Sequence, residues 1–532
     1  MNGALLTSAL KVRMSTSAPP RTDIVSRLSR MISTPGGFLG LLSALVLAHF
    51  IVRGLLYPAA PTDDAEQLLF SQVFRAGYDV VNPPLYTWLV IAAQQVVGVE
   101  AWSVSLIKFP AYWLIFYFLY VLGRPAIEDD HLAILAALSP LWLYYVAWDA
   151  VLSYSHTVLA TALIVAALVV LQRIQNKGGV LSYALFGIVL GLGILSKYTF
   201  GLAALAMIIA GIIYRPYRPR LLNPKMLIAL LIAGLILTPH IHWLLTQSDM
   251  VGTAVSGKFE MNGDGGFLMA RLKGVTSAFS SGFGFISPLW LVLLVVFWRP
   301  VRDRLRVHEI IPPATKFLAI YLFTVIAILA IFVLALGVTK IRAHYMFVLI
   351  PFPVVFFAWI KPALKHPRQA QIYGATLVVM AVLLVGGMVG KYISEPLRCK
   401  RCQLLVPYKD IGQKLRDIGF TGGTIFAYYF PHDLAGNLRN AFPETRIVST
   451  KYPAITRPLT DAPGQCLIIW MPAPGGVMDA RGMLQLANRD LGAGLPLADF
   501  SEKPLTFTFD RTDGRTEKLH YMLFEQGVGT CR

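Results

Sequence analysis

Apolar residues run in long blocks between positions 38 and 391, and polar residues are confined to short breaks between the blocks. A bilayer-crossing helix needs roughly 20 apolar residues, because lipid offers an unpaired backbone amide no partner. On that measure the pattern predicts about 11 transmembrane helices. They fall near 38–57, 103–123, 132–148, 151–172, 180–196, 199–214, 226–245, 283–298, 316–337, 343–360 and 372–391, the third and fifth being short or broken. Beyond them the pattern changes. Ile411, Leu415 and Ile418 have helical spacing, whereas Gly423 to Phe430, Cys466 to Met471 and His520 to Phe524 are short apolar or aromatic runs bounded by turn residues, as strands are. The chain therefore divides into a tail at 1–37, a polytopic α-helical membrane domain at 38–391 with loops at 58–102 and 246–282, and a small α/β domain at 392–532.

Composition supports the division. With 56% hydrophobic and 14% charged residues and a mean hydropathy of +0.60, the chain carries more apolar surface than one globular core buries, so lipid must cover the remainder. Charge then orients it. Lys11, Arg13, Arg21, Arg27 and Arg30 precede the first block, and 173–177, 215–225, 299–306 and 361–368 are basic as well. Short loops retain Lys and Arg on the cytoplasmic side, and alternation from a cytoplasmic N-terminus puts all five segments there. The loops 58–102 and 246–282 and everything after 391 then face outward. The first block serves as an uncleaved signal anchor, since no cleavable signal precedes it. The net charge of +18 is accounted for as a topology signal facing anionic lipid, not as a nucleic-acid surface. All four cysteines, Cys399, Cys402, Cys466 and Cys531, lie in the outward-facing tail. That distribution favours disulfides in an oxidising compartment such as a bacterial periplasm, with three pairings open; the Cys399-x-x-Cys402 spacing alternatively suits a redox pair or half a metal site. A nucleotide-binding glycine loop is absent.

The chemistry concentrates in the first outward loop. Pro61-Thr62-Asp63-Asp64-Ala65-Glu66-Gln67 places three carboxylates within four residues, next to hydrocarbon. Thr62 with Asp63 or Asp64 makes a candidate N-cap for a short amphipathic helix running through Phe74 on the membrane surface. A second interfacial helix is expected from Pro83-Pro84 onward.

An acidic pair opening this loop, Ser71-Gln72 behind it, then Gly77-Tyr78, Pro83-Pro84-Leu85 and Trp88, resembles the membrane glycosyltransferases of the GT-C superfamily. Within it, the resemblance is to the branch of protein mannosyltransferases, the lipid A aminoarabinose transferase and lipopolysaccharide galacturonosyltransferases. Asp149 in Trp148-Asp149-Ala150, Gly193-Ile194-Leu195-Ser196-Lys197-Tyr198-Thr199 and His344-Tyr345 match further motifs of that branch in the same order. The resemblance covers about 38–391 and fades in the tail. Two departures stand out: Asp64 replaces the usual Glu, and Asn82 replaces an aromatic or His ahead of the prolines.

The resemblance implies transfer of a sugar from a polyprenyl-phosphate donor to a glycan, glycolipid or protein acceptor at the outer face of a bacterial inner membrane. Phosphate is a competent leaving group, so one base and several cations suffice, unlike the two carboxyls of a glycosidase. Asp63 is the expected general base, with Asp64 as its deputy. Substrate contacts are expected from Glu66, Asn82, Asp149, Lys197, Lys340, Arg342, His344 and Tyr345, the cations facing the phosphate. Each has a bland alternative: Lys197 as an interfacial snorkelling lysine, Asp149 as a helix cap, and Lys340, Arg342 and His344 as a polar turn. The sequence establishes no cofactor; a divalent metal stays open, with His240 and His242 as weak candidate ligands. Two other functions fit the pattern less well, a transporter or flippase of lipid-linked sugar and a membrane-anchored assembly protein.

Overall fold

The computed structural model describes residues 23–528 except 248–265, 307–310, 401, 429–432, 460–462, 472–478 and 498–500, and also residue 531. Lys11, Arg13 and Arg21, the first part of the 246–282 loop and the end of the expected 423–430 strand lie outside the described residues.

Helices dominate up to residue 398. After a short helix at Ile24–Met31, α1 (Pro35–His49) continues into a π-helical turn, Phe50–Leu55. Two short helices, α2 (Thr62–Phe70) and α3 (Leu85–Val97), precede α4 (Ser105–Ile127). Then come α5 (Ser155–Lys177), α6 (Val180–Ser196), α7 (Thr199–Ile213), α8 (Met226–Thr246), α9 (Gly266–Ile286), α10 (Leu289–Arg304), α11 (Pro313–Leu334) and α12 (Pro367–Arg398). Among the described residues, six helices are long and apolar enough to cross a bilayer, and the bent pair at 343–363 would add a seventh. This is a multi-pass membrane fold. The other expected spans correspond to shorter or interrupted elements, among them α6, α7 and Asp130–Leu138.

Three local expectations are corrected. α2 begins at Thr62 with Pro61 as its cap and no side-chain capping bond, so Asp63 and Asp64 occupy the first helical turn instead of capping it. The span expected at 151–172 is shifted to Ser155–Lys177, because a turn at Ser153 and Tyr154 precedes α5. Residues 266–282, taken for loop, form most of α9. Its Arg271, Lys273 and serines lower the local hydropathy, yet Ala270, Gly274, Ser277 and Ser281 line the face that packs inward. Ser277 and Ser281 hydroxyls donate to the Ile341 carbonyl, tying down the strap that follows α11.

The tail holds α13 (Tyr408–Asp417), α14 (Asp433–Ala441), α15 (Ala480–Leu491) and a five-stranded sheet. Its strands are β1 (Gly423–Ala427), β2 (Arg446–Ser449), β3 (Gln465–Trp470), β4 (Lys503–Thr508) and β5 (Thr516–Phe524), in the order β2-β1-β3-β5-β4. β1 pairs in parallel with β2 and β3, and β5 runs antiparallel to β3 and β4. The apolar positions of β3 are buried throughout, as befits a central strand covered on both faces. Disulfides join Cys399 to Cys402 and Cys466 to Cys531, in agreement with the structural-bridge reading.

The tail packs one core of its own, around Trp470, Met483, Leu484 and Met522, and shares a second with the membrane domain. Tyr57, Ala59, Leu69, Phe70 and Tyr78, from the segment around α2, share one apolar cluster with Leu405, Ile411, Leu434, Leu438 and Ile425. Gly436 of α14 lies against the α2 backbone so closely that a Cβ there would run into the Ala65 carbonyl. α2 is thereby sandwiched between the helical bundle and the tail.

Candidate functional site

Helical periodicity splits the acidic run of α2 between two faces. Residues three apart share a face, so Asp63 goes with Glu66 and Asp64 with Gln67. Asp64 is only 3% exposed. It accepts from Lys108 Nζ of α4 at 2.8 Å and from Ser155 Oγ of α5 at 2.6 Å. A buried carboxylate is tolerated only with such compensation. Gln67 donates from Nε2 to His156 Nε2 at 3.1 Å and accepts from Thr87 Oγ1 at 2.6 Å, while His156 Nδ1 donates to the Ser196 carbonyl. These bonds give His156 the Nδ1-H tautomer.

Asp63 is half-buried and accepts the Tyr154 amide at 2.9 Å. Tyr154 has φ +61° and ψ +36°, a left-handed conformation that costs a bulky residue energy and concentrates at functional turns. The turn into α5 is thus a hub. Four consecutive residues each receive a side chain from elsewhere: Tyr154 from Asp63, Ser155 from Asp64, His156 from Gln67 and Thr157 from Lys197, whose Nζ donates to Thr157 Oγ1 at 2.5 Å. The polar run Ser153-Tyr154-Ser155-His156-Thr157 at the head of an apolar block was its signal in the sequence.

Glu66 is half-buried beside the tail and accepts the Tyr452 hydroxyl at 2.6 Å. Burial pushes its carboxyl up to about 7, with Asp63 and Asp79 adding to the rise and Tyr452 and Lys451 opposing it. Tyr452 packs edge-on against Phe70, and the Lys451 ammonium lies 4.7 Å from the Tyr452 ring centre.

The expected contact residues divide. His344 packs against Tyr154 at 5.6 Å between ring centres and against Tyr345 at 4.4 Å. Asp149 lies within electrostatic reach of Tyr154 and Tyr144. Asp63, Asp149, Lys197, His344 and Tyr345 therefore gather around the 154–157 turn. Exposed Arg342 and half-buried Lys340 stand on the strap that α9 holds. Arg271 of α9 donates to the Leu334 and Ala335 carbonyls at the start of that strap, which adds a cation the sequence reading passed over. Asn82 is half-buried in the turn ahead of α3 and takes no part in these contacts. His240 and His242 do not form a metal pair. Both ring nitrogens of buried His240 are taken, by the Ala76 carbonyl at 2.8 Å and the Tyr198 hydroxyl at 2.9 Å, while His242, two residues on along a helix, is exposed. Among the described residues no cluster of three His, Cys, Asp or Glu has the arrangement of a metal site.

The tail contributes what sequence reasoning missed. Buried Asn437 brackets Ala60 just before α2, accepting its amide at 2.7 Å and donating to its carbonyl at 3.1 Å. Buried Arg439 reaches the other end, donating from Nη1 to the Leu68 carbonyl at 2.8 Å, to Ser71 Oγ at 2.5 Å and to Gln94 Oε1 at 3.1 Å. Gln72 donates to the Ile447 and Ile455 carbonyls and accepts the Ile447 amide. Both termini of α2 are pinned.

Residues 81–243 match the family described as dolichyl-phosphate-mannose-protein mannosyltransferase. The lipopolysaccharide core galacturonosyltransferases RgtA and RgtB of Rhizobium johnstonii are each 26% identical to the chain. The alignments cover 92% and 89% of this chain and 97% and 95% of theirs. The crystal structure of ArnT from Cupriavidus metallidurans bound to undecaprenyl phosphate has a similar fold, with a TM-score of 0.56 at 13% identity over 92% of this chain and 98% of ArnT. Its apo form gives a TM-score of 0.54 at 11% identity over 93% and 99%. The resemblance to the GT-C branch read from the motifs is borne out, and these named relatives in sequence are glycosyltransferases.

Proposed function

We propose that the chain is an inverting glycosyltransferase that moves a sugar from a polyprenyl-phosphate donor to a glycan or glycolipid of the bacterial cell envelope, at the extracytoplasmic face of the inner membrane. The observation that carries this reading is the division of labour between adjacent carboxylates. Asp64 has Lys108 and Ser155 on its oxygens and is sealed from solvent, so it anchors α2. Asp63 accepts one backbone amide and stays half-exposed on the other face of α2. Asp63 is then the base and Asp64 is not its deputy.

The reaction follows from that placement. The acceptor hydroxyl gives its proton to Asp63 as its oxygen attacks the anomeric carbon, and the phosphate leaves from the opposite face, inverting the configuration. The departing phosphate is already an anion and needs no proton, only positive charge to receive it. Lys340, Arg342 and His344, with Arg271 behind the strap, supply that charge. Likeness over nearly the whole chain to enzymes named for lipopolysaccharide core galacturonosyl transfer favours a uronic acid as the sugar and a lipopolysaccharide core as the acceptor.

The test uses the full chain in lipid nanodiscs, polyprenyl phosphate carrying radiolabelled galacturonic acid, and purified lipopolysaccharide core glycolipid. Label should move to the glycolipid, with the product anomer opposite to that of the donor. Movement of intact donor across vesicles without transfer would favour the flippase instead.

A further inference from the structure

A groove of about 590 Å³ lies where α12 leaves the bundle, lined by Trp148, Gly387, Gly390, Lys391, Ser394, Glu395, Arg398 and Cys399. Gly387, Lys391, Ser394 and Arg398 follow helical spacing and so form one stripe of α12. The opposite wall is the indole of Trp148, whose ring fits over Gly387 because that residue has no side chain. Glycines thus open the groove and an aromatic platform closes it.

The groove adjoins the site without belonging to it. Trp148 and Asp149 sit on one π-helical turn, Tyr145–Asp149, and that turn has two sides. On one, Tyr145 stacks on Phe285 of α9, the helix that holds the cationic strap. On the other, Trp148 meets α12 and the groove. Inverting transfer brings nucleophile and leaving group to the anomeric carbon from opposite sides, so two substrates need two approaches. The strap side carries the cations for the leaving phosphate. The α12 side is left for the acceptor.

Charge indicates what kind of acceptor. Lys391 pairs with Glu395 at 2.7 Å, while Arg398 stands exposed at the groove's end. Arg53 is 4% exposed, lies within electrostatic reach of both Glu395 and Asp64, and its Nε and Nη1 meet no hydrogen-bond acceptor among the described residues. Among the lining residues Lys391 and Arg398 stand against the single carboxylate of Glu395 and leave the groove positive, while Arg53 and Asp64 lie outside the lining. An indole opposite a hydroxyl and flanked by cations suits a sugar ring that carries phosphate or carboxylate groups.

Resting on the proposed transferase reading, we infer that this groove is the acceptor subsite and that it takes the anionic glycan head of a membrane glycolipid. Gly390 offers a clean probe, because nothing lies within 4 Å of a Cβ built there. Gly390→Leu should fill the groove without disturbing the fold, and Arg398→Glu should reverse its charge.

The test measures turnover and equilibrium binding on the full chain in nanodiscs, with purified lipopolysaccharide core glycolipid and a dephosphorylated, carboxyl-reduced form of it. Each variant should raise the KM and Kd for the anionic glycolipid about tenfold or more and leave the donor KM within about twofold. Arg398→Glu should affect the neutral form much less, while Gly390→Leu should weaken both. Acceptor constants within about twofold of wild type in both variants, or a loss confined to the donor, would overturn the assignment. If wild type transfers no sugar at all, the transferase reading falls, and the binding arm still decides whether the groove holds the glycolipid.

Discussion

α2 is held from two directions, and the two holds differ in kind. The bundle grips its side chains through one ion pair and a set of hydrogen bonds: Asp64 on Lys108 and Ser155, and Gln67 on His156 and Thr87. The tail grips its backbone and its ends: Asn437 on Ala60, Arg439 on the Leu68 carbonyl and Gly436 against Ala65. Side-chain pairing fixes the rotation of a helix about its axis, whereas pinned ends fix its position along that axis. A base needs both, since misplacement by about 1 Å can cost on the order of 10² in rate. Asp63 takes only the Tyr154 amide from the bundle, and the proposed function assigns it the role of base.

The comparison breaks most sharply if Asp63 is structural. Asp63→Asn keeps an acceptor for the Tyr154 amide and cannot take a proton. Transfer should fall by about 10²–10⁴, with donor affinity and thermal stability close to wild type. Activity within a few-fold of wild type would place the base elsewhere.

The bundle grip should show next, in stability before catalysis. Lys108→Met leaves Asp64 buried without its partner, at a cost of about 3–5 kcal/mol. The thermal midpoint should drop steeply, and the double variant Asp64→Asn with Lys108→Met should recover most of it. Full stability in Lys108→Met would mean that the pair carries no weight.

The disulfides test the tail's integrity. Cys466 and Cys531 close a loop with a sequence separation of 65, worth about 4 kcal/mol by loop entropy, while Cys399 and Cys402 are separated by only 3 and constrain little. Reduction should loosen β3 and the segment around Cys531 in hydrogen exchange before it affects the bundle. Nonreducing mass spectrometry should find no free thiol in the native protein.

The tail grip on α2 is weaker and should separate rate from binding. Asn437→Ala strips partners from a buried amide and a buried carbonyl, about 1–3 kcal/mol for each group left unsatisfied. We expect kcat to fall while the donor KM holds. A donor KM that rises with no change in kcat would show that the tail touches substrate instead of positioning α2.

The smallest effect is a pH slope. Glu66 titrates at about 7 in the folded protein against an ordinary 4.5, so the folded state holds a proton that the unfolded state has released. Its stabilisation is present below about 4.5 and fades as pH rises through 7. Glu66→Gln should remove that component of the pH dependence of the thermal midpoint. An unchanged slope would exclude Glu66 as its source.

Much of this was legible along the chain. The hydrophobic blocks announced a multi-pass membrane protein. The double proline marked the start of α3, and short apolar runs bounded by turn residues located β1, β3 and β5. The acidic run stood out because three carboxylates beside hydrocarbon are costly without partners. These features depend on neighbours within a turn or two, so local periodicity reveals them. α9 escaped because a helix facing protein on one side and lipid on the other mixes serines and arginines into its apolar pattern. β2 and β4 were too short, or too polar on their exposed face, to stand out.

What remained was a matter of partners. Sequence placed Asp63 and Asp64 side by side as near equivalents, and only the approach of Lys108, 44 residues away, and Ser155, 91 away, made one an anchor and left the other available. Asn437 reaches Ala60 across 377 residues, and no pattern in either segment foretells that bond. The sequence by itself determined most of the helices, the basic segments on which the orientation rests and the acidic run of the first loop, because periodicity and charge act locally. The tertiary structure decided which carboxylate is buried, which cysteines pair and what holds α2 in place, because burial and pairing depend on what the rest of the chain brings to the same point in space.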